Sequence, residues 1–288
     1  IKSKLGPLIP RVSLSANPSL TFDNLMKMYR MFPESGSQLL SKSVKSAAPI
    51  KLPYTPDPDS YLYTDAVNPD SWLGIYMEYA KECEAPTAFH FWTGVSLIGA
   101  CTHHKFWIDR GKYELYLNNY ILLSTAIAGG KSIAAELGTN VIRFANKFLN
   151  EGGPTGSPAH RASVNILPED STKESLIEDL AFRVMYDRDP KTGVAREYHV
   201  DSTGLLMLDE LSNLLGKTAY SAEAMVPFLT SIYAIREYRK STRHSGKATL
   251  KNCALSIVAC CAPSWLLDTV TPVMFAGGFL DRFRIIYR

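Results

Sequence analysis

The chain has 288 residues, of which 46% are hydrophobic and 20% are charged. This composition can bury one large core, and it excludes a chain that is disordered throughout. The formal net charge of +3 is too small to indicate a nucleic-acid partner by itself, so such a partner must be argued from local clusters of basic residues.

The pattern along the chain predicts three regions. Prolines and serines separate short apolar groups over residues 1–68, which is typical of a linker or arm. Residues 69–118 predict helices followed by a hairpin that turns at Gly111. Residues 119–288 alternate strands with helices, which predicts an α/β core of three layers with a mainly parallel sheet. Because the last run reads as a strand, we expect a longer protein to continue beyond it.

The segment after the apolar run 120–123 predicts a phosphate-binding loop. Small residues let backbone N–H groups curl around an anion, while Lys131 would bind the β- and γ-phosphates and the hydroxyl of Ser132 would bind Mg²⁺. Thr125 departs from the pattern, because a glycine usually opens the loop. A tight turn without a ligand is the alternative. The residues expected to hold ATP are Ala128, Gly129, Gly130, Lys131, Ser132 and Ile133.

A second apolar run, 205–208, ends in Asp209 and Glu210. Such a run marks a strand that is buried on both faces of a parallel sheet, and ligands bind beyond the carboxyl ends of such strands. We therefore expect Asp209 to hold Mg²⁺ and Glu210 to act as the general base that activates water. The alternative is a helix start, where acidic residues are favoured by the helix dipole.

Further signals place the remaining elements of the core. Ser171 and Glu174 have the spacing of a capping box that opens a helix, after a short strand over 164–167. The strand 254–260 ends at two cysteines, which replace the polar residue that senses the γ-phosphate in many ATPases. Core thiols are the favoured interpretation of these two residues. The five cysteines of the chain, an odd number mostly in apolar runs, indicate a reduced, cytoplasmic protein.

A run of basic residues lies between 235 and 251, with tyrosines interleaved. Cations with aromatic rings are typical of unspecific single-strand binding, and a solvated basic loop is an equally good interpretation. Arg282, at the start of the last strand, is a candidate arginine finger toward a neighbouring subunit, with a local salt bridge as the alternative. The basic candidates for nucleic-acid binding are Arg236, Arg239, Lys240, Arg243 and Lys247.

The order of these segments resembles the P-loop ATPase domains of phage and plasmid replication proteins, the helicases that are often fused to or encoded near primases. The resemblance covers about residues 70–288. It rests on the segments LYLNNYILLSTAIAGGKS, NILPEDSTKESLIEDL, GLLMLDE, SGKATLKNCALSIVACCAPSWL and GGFLDRFRIIYR.

The resemblance implies a RecA/AAA-like core, ATP hydrolysis with Mg²⁺ and action on DNA as an oligomeric ring in the bacterial host cytoplasm. By position, Lys131 and Ser132 match the loop, Asp209 and Glu210 match the acidic strand end, and Arg282 matches the terminal arginine. A primase domain or partner is also implied. Since the sequence has no apolar run near 18 residues, we expect no membrane partner. The alternatives are a DNA-packaging motor, which would need a nuclease domain, and a nucleotide-binding switch with little turnover.

Overall fold

The computed structural model describes residues 61–125, 129–150, 163–188, 195–215, 219–234, 237–242, 246–269, 274 and 277–288, so the predicted arm lies almost wholly outside the described residues. Within these ranges, no helix has both the length and the apolar character needed to cross a bilayer. The helices are α1 (Tyr61–Thr64), α2 (Trp72–Ala80), α3 (Thr87–Thr102), α4 (Lys131–Asn150), α5 (Lys173–Asp179), α6 (Leu211–Leu215), α7 (Ala219–Ile232), α8 (Pro263–Thr269) and a 3-10 turn (Leu280–Arg282). The strands are β1 (Trp107–Asp109), β2 (Glu114–Tyr116), β3 (Tyr120–Ser124), β4 (Arg183–Arg188), β5 (Ala195–Val200), β6 (Thr203–Leu208), β7 (Glu237–Thr242), β8 (Gly246–Lys251), β9 (Ala254–Cys261) and β10 (Phe283–Tyr287).

Four strands form a parallel sheet in the order β10, β3, β9, β6. The strand predicted over 164–167 is reduced to an isolated bridge between Ile166 and Leu205. Because the strands are parallel, their last residues lie at one edge, here called the carboxyl edge, where Ser124 pairs with Cys261. Their first residues lie at the opposite amino edge. The predicted α/β class is confirmed.

Helices cover both faces of this sheet, because successive side chains of a strand point to opposite faces. In β3, Tyr120 and Leu122 belong to one apolar cluster with α5, α6 and α7. Ile121 and Leu123 belong to the other, with α2, α3 and α4. Burial of each leucine stabilises the fold by about 1.5–3 kcal/mol, so a central strand of this kind is mainly apolar.

Helix α3 runs antiparallel to the strands and connects the two edges of the sheet. At the carboxyl edge, a Cβ on Gly130 would lie 2.6 Å from the Cα of Ala85, just before α3. At the amino edge, His103 Nδ1 lies 3.1 Å from Thr203 Oγ1. Helices α2 and α3 therefore share one core with the sheet, while the domain boundary near residue 118 stays a prediction.

In the described part of the chain, three antiparallel hairpins lie at the amino edge, because each leads directly into a strand of the sheet. The β1–β2 hairpin leads into β3, the β4–β5 hairpin into β6, and the β7–β8 hairpin into β9. The first was predicted and turns at Gly111, which has φ 77°. The second was not predicted, and the sequence identified the third only as a basic segment.

The start of α5 differs from the prediction. The N-cap is Thr172 and not Ser171, and its hydroxyl accepts a hydrogen bond from the backbone N–H of Ser175 at 3.2 Å. Glu174 thus lies one residue before the position that a capping box requires. Its carboxylate instead accepts a hydrogen bond from Lys240 Nζ at 2.8 Å, so a tertiary contact uses the side chain assigned to the cap.

His90 of α3 is buried without polar support. It is 2% exposed, and neither ring nitrogen has a hydrogen-bond partner among the described residues. The ring of Tyr76 lies edge-on at 6.4 Å between centroids. Burial lowers the pKa of His90 to about 4, because desolvation disfavours the imidazolium ion. His90 is therefore neutral in the folded chain at neutral pH.

We expect acid to destabilise the fold through His90. Below a pH of about 6.5 the unfolded chain takes up a proton that the native chain excludes, so the free energy of unfolding falls as the pH falls toward the native value. The loss approaches about 3 kcal/mol near pH 4. Denaturant titrations over this range measure it. His90→Phe should flatten the slope, whereas the same change at the exposed His199 should preserve it. An unchanged slope in His90→Phe would contradict the assignment.

Candidate active site at the carboxyl edge

The loop predicted between β3 and α4 lies at the carboxyl edge. β3 ends at Ser124 and α4 begins at Lys131, while residues 126–128, which include the predicted Ala128, lie outside the described residues. Lys131 Nζ donates a hydrogen bond to the carbonyl oxygen of Thr125 at 3.0 Å. The ammonium group thus lies beside the end of β3.

The first turn of α4 has the properties of an anion site. Ser132 is exposed and Ile133 is 39% exposed, so this turn faces outward. The backbone N–H of Ala134 already bonds to the carbonyl of Gly130 at 3.2 Å. The N–H groups that precede it have no acceptor within the helix, and the helix dipole is positive at this end. Together with the charge of Lys131, this turn favours a phosphate group.

The threonine that breaks the loop pattern is accommodated by a glycine four residues later. Thr125 is 7% exposed, and a Cβ added to Gly129 would lie 2.5 Å from its Oγ1 and 2.8 Å from its Cβ. Real Cβ atoms do not approach other atoms this closely, so a side chain at 129 and threonine at 125 are mutually exclusive in this geometry. The sequence pattern flagged Thr125 but did not show what compensates for it.

Strand β6 brings two carboxylates to the same edge. All six of its residues are buried, and the next residue, Asp209, is exposed, while Glu210 is half-buried. In the sheet, only β9 lies between β6 and β3. Two strand spacings amount to about 10 Å, so the acidic pair follows a strand that lies across a narrow crevice from the loop. The predicted arrangement of strand ends is therefore present.

Electrostatic effects connect these groups. Burial raises the pKa of Glu210, Lys131 counteracts part of this rise, and Asp209 adds to it. The same three charges act on Cys260, whose pKa burial raises to about 12. Coulomb interactions of this kind decline with distance and screening, so their sources lie together. We call Lys131, Asp209 and Glu210 the carboxyl-edge cluster.

The two cysteines at the end of β9 are core side chains. Cys260 and Cys261 are both 0% exposed, and Cys261 Sγ donates a hydrogen bond to the carbonyl of Ala262 at 3.2 Å. Because burial raises the pKa of each thiol to about 12, both are protonated at neutral pH and neither is a nucleophile. The other cysteines are also free thiols, with Cys253 buried, Cys83 half-buried and Cys101 exposed.

Arg282 does not lie with the carboxyl-edge cluster. It precedes β10 and therefore lies at the amino edge, separated from the carboxyl edge by five residues of strand, or about 17 Å. One terminal nitrogen donates a hydrogen bond to the carbonyl of Gly278, and the guanidinium lies 5.9 Å from the ring centroid of Tyr233. Its role toward a neighbouring subunit stays a prediction.

An arginine that does lie at the carboxyl edge is Arg288. Its backbone N–H donates to the carbonyl of Ser124 at 3.0 Å, which places it beside the start of the loop. Its guanidinium lies 5.7 Å from the ring centroid of Tyr63 in α1. No sequence motif identified Arg288, because the length and register of β10 decide which arginine reaches this edge.

The basic segment forms the β7–β8 hairpin at the amino edge, far from the carboxyl-edge cluster. Arg239 pairs with Glu237 at 2.7 Å, and Lys240 pairs with Glu174 at 2.8 Å. Lys240 retains only 13% exposure of its side chain, so it serves the fold more than a ligand. Lys247 lies in β8, while Arg236 and Arg243 lie outside the described residues.

The donor atoms at the carboxyl edge suit a Mg²⁺ ion that shares its coordination shell with phosphates and waters. Over the described ranges, no group of three or more histidine, cysteine or acidic residues could hold a metal ion. Mg²⁺ needs only one or two protein oxygens when phosphates and waters complete its shell. The exposed hydroxyl of Ser132 and the exposed carboxylate of Asp209 lie at the same edge and supply such oxygens.

Comparisons with known proteins leave the family of the chain open, because no protein-family model matches it and no significantly similar curated protein is found.

Proposed function

We propose that the chain is a nucleoside-triphosphate hydrolase with a three-layer P-loop core, which binds ATP with Mg²⁺ and acts as a DNA motor. The observation that carries this proposal is the carboxyl-edge cluster. A lysine at a strand-to-helix loop and two carboxylates two strands away meet at the edge of a parallel sheet where ligands bind. Opposite charges in these positions suit a phosphate chain and its metal.

Binding of the triphosphate rests on the loop and the first turn of α4. Backbone N–H groups from Gly129 to Ile133 surround the β-phosphate, and Lys131 neutralises the β- and γ-phosphates. To do so, its ammonium group exchanges the bond to the Thr125 carbonyl for a phosphate oxygen. Lys131 is thus held near its working position before the nucleotide arrives, which reduces the entropy lost on binding.

Hydrolysis rests on the two carboxylates. Ser132 and Asp209 would hold Mg²⁺, which when bound neutralises charge on the phosphates. Glu210 accepts a proton from the attacking water as general base. Burial and the neighbouring Asp209 raise the pKa of Glu210, which makes its carboxylate a stronger base, while Lys131 offsets part of this rise.

Action on DNA rests on the resemblance to phage and plasmid replication proteins and on the cations of the amino-edge hairpins. Single-stranded DNA is the partner that cations beside aromatic rings suit best. A homo-oligomeric ring, with Arg282 as the finger of one subunit toward the next and a primase as partner, completes this proposal.

A switch with little turnover is the second candidate, favoured by Thr125 in the loop. A packaging motor would use the same cluster.

The test is ATP hydrolysis by the purified chain with Mg²⁺, with and without single-stranded DNA, beside Lys131→Ala. We expect turnover that DNA stimulates, and a loss to background in Lys131→Ala. The matched control is Lys81→Ala, which removes an exposed lysine from the surface and should change nothing. Nucleotide binding without turnover would contradict the motor and support the nucleotide-binding switch. Absence of any nucleotide binding would overturn the proposal.

A further inference from the structure

The β1–β2 hairpin exposes apolar side chains on both of its faces. Trp107 pairs across the strands with Tyr116, and Ile108 pairs with Leu115, so the first pair lies on one face and the second on the other. The large side chain of Trp107 is 52% exposed. An apolar surface of this kind on a projecting ribbon marks an interaction site. The exposed large apolar residues of the hairpin are Phe106, Trp107, Ile108, Tyr113 and Leu115.

Local contacts hold this hairpin in shape. An isolated two-stranded ribbon is marginally stable in water. Here the ring of His104 stacks on Tyr116 at 4.4 Å between centroids, and Trp107 lies 6.4 Å from Tyr116. At the turn, the backbone N–H of Gly111 donates to a carboxylate oxygen of Asp109 at 2.7 Å. The hairpin is therefore ordered while most of its aromatic surface stays accessible.

The basic side chains of the hairpin are available to bind a negatively charged ligand. Lys105, Arg110 and Lys112 are exposed, and none of them forms an ion pair with a carboxylate among the described residues. The two acidic side chains are engaged locally, since Asp109 accepts from Gly111 and Glu114 accepts from Tyr116 Oη at 2.6 Å. A ligand with negative charge and flat rings fits this combination.

The hairpin is rooted beside the other two amino-edge hairpins. Asn118 Nδ2, at its base, donates to the carbonyl of Tyr233 at 3.2 Å and to that of Leu255 at 3.4 Å, which flank the β7–β8 hairpin. Next to these, Lys251 of β8 lies 4.7 Å from the ring centroid of Phe182, which precedes the β4–β5 hairpin. The bases of the three hairpins therefore lie close together at the amino edge, and a cation–ring contact lies among them.

We propose that the β1–β2 hairpin is a stacking platform for single-stranded nucleic acid, with Trp107 and Tyr113 as the stacking rings and Arg110 and Lys112 as phosphate contacts. It rests on the DNA partner of the proposed function and assigns the contact to a segment outside the basic run of 235–251. Rings beside unpaired cations favour a nucleic acid, whose bases stack on the rings and whose phosphates pair with the cations. An apolar protein surface would fit less well, because it would leave three charges without partners.

The test uses a fluorescein-labelled thymidine 30-mer and the whole chain, with anisotropy as the readout. We expect Trp107→Ala with Tyr113→Ala to weaken binding about ten-fold or more, the effect of losing one or two stacked bases. Hydrolysis without DNA should stay unchanged. The matched control is Tyr287→Ala, which removes an equally exposed aromatic ring at the carboxyl edge and should bind DNA as the wild type does.

Two further variants separate stacking from a damaged hairpin. Trp107→Phe keeps a ring and should retain most of the affinity, whereas a loss equal to that of Trp107→Ala would overturn the stacking role. Arg110→Gln with Lys112→Gln should lower the slope of log affinity against log salt by about 1.4, the value for two phosphate contacts on a single strand. An unchanged slope would overturn the phosphate contacts.

The outcomes distinguish this inference from the proposed function. If the chain hydrolyses ATP and binds DNA, but the hairpin variants bind DNA equally well, the platform is wrong and the motor stands. If the double variant alters self-association in sedimentation or binding to anionic vesicles and leaves DNA affinity unchanged, the hairpin serves a second copy or a lipid surface instead. If the chain shows neither hydrolysis nor nucleotide binding, the proposed function fails on its own.

Discussion

Glu210→Gln is expected to lower the rate constant of ATP hydrolysis by about 10²–10⁴, the contribution of a positioned general base. Glutamine has nearly the same shape but cannot accept the proton from water. Binding should be retained or slightly tightened, because the change removes a negative charge from the site where the γ-phosphate arrives. Phosphate release at saturating ATP measures the rate, and titration with a fluorescent ATP analogue measures the affinity.

The control for Glu210→Gln is Glu178→Gln, which removes the same charge from an exposed side chain of α5 and should leave hydrolysis unchanged. Asp209→Asn supplies a second comparison. Because Asp209 is assigned to Mg²⁺, this variant should need a higher Mg²⁺ concentration, whereas Glu210→Gln should not. Full activity in Glu210→Gln would show that another group, or the substrate itself, takes the proton.

The parallel sheet and its carboxyl edge could be predicted because the central strands are buried on both faces. Such strands contain continuous apolar runs, as in β3 and β6, and the residue at which the run stops then lies near the edge. This rule predicts that Asp209, directly after β6, and the segment after β3 that leads to Lys131 lie at the same edge. Chain order alone did not show which strands are neighbours, but any parallel arrangement brings their carboxyl ends to one edge.

The parts that could not be predicted depend on tertiary contacts. The sequence placed Glu174 in a local cap, and the fold uses it to pair with Lys240. The sequence singled out Arg282 as the terminal arginine, but the five residues of β10 place it at the amino edge and bring Arg288 to the other one. In β4 the apolar residues 184–186 are consecutive and do not alternate with polar ones, so the β4–β5 hairpin does not show the strand period of two. For Glu174 and Arg282 the deciding partner is distant in sequence.

The contact between Thr125 and Gly129 is another feature that the sequence did not predict, and a substitution at Gly129 should strongly reduce activity. We expect Gly129→Ala to reduce kcat/KM for ATP by about 100-fold, the scale of a displacement of roughly 1 Å at a reacting group. The new methyl group would fall within 2.8 Å of Thr125 Cβ, so one side of the loop must move. Lys131, which bonds to the Thr125 carbonyl, would move with it. Steady-state hydrolysis measures the loss, and thermal unfolding checks that the fold is retained.

The double variant Thr125→Gly with Gly129→Ala identifies the cause. If the clash with the threonine side chain disables Gly129→Ala, then removing that side chain should restore activity to within about ten-fold of the wild type. Independent sites do not show such coupling. Thr125→Gly alone should stay active, since Lys131 bonds to the backbone of residue 125 and not to its side chain. If the double variant remains as inactive as Gly129→Ala, then residue 129 is restricted by the nucleotide itself, and Thr125 is not what makes glycine necessary there.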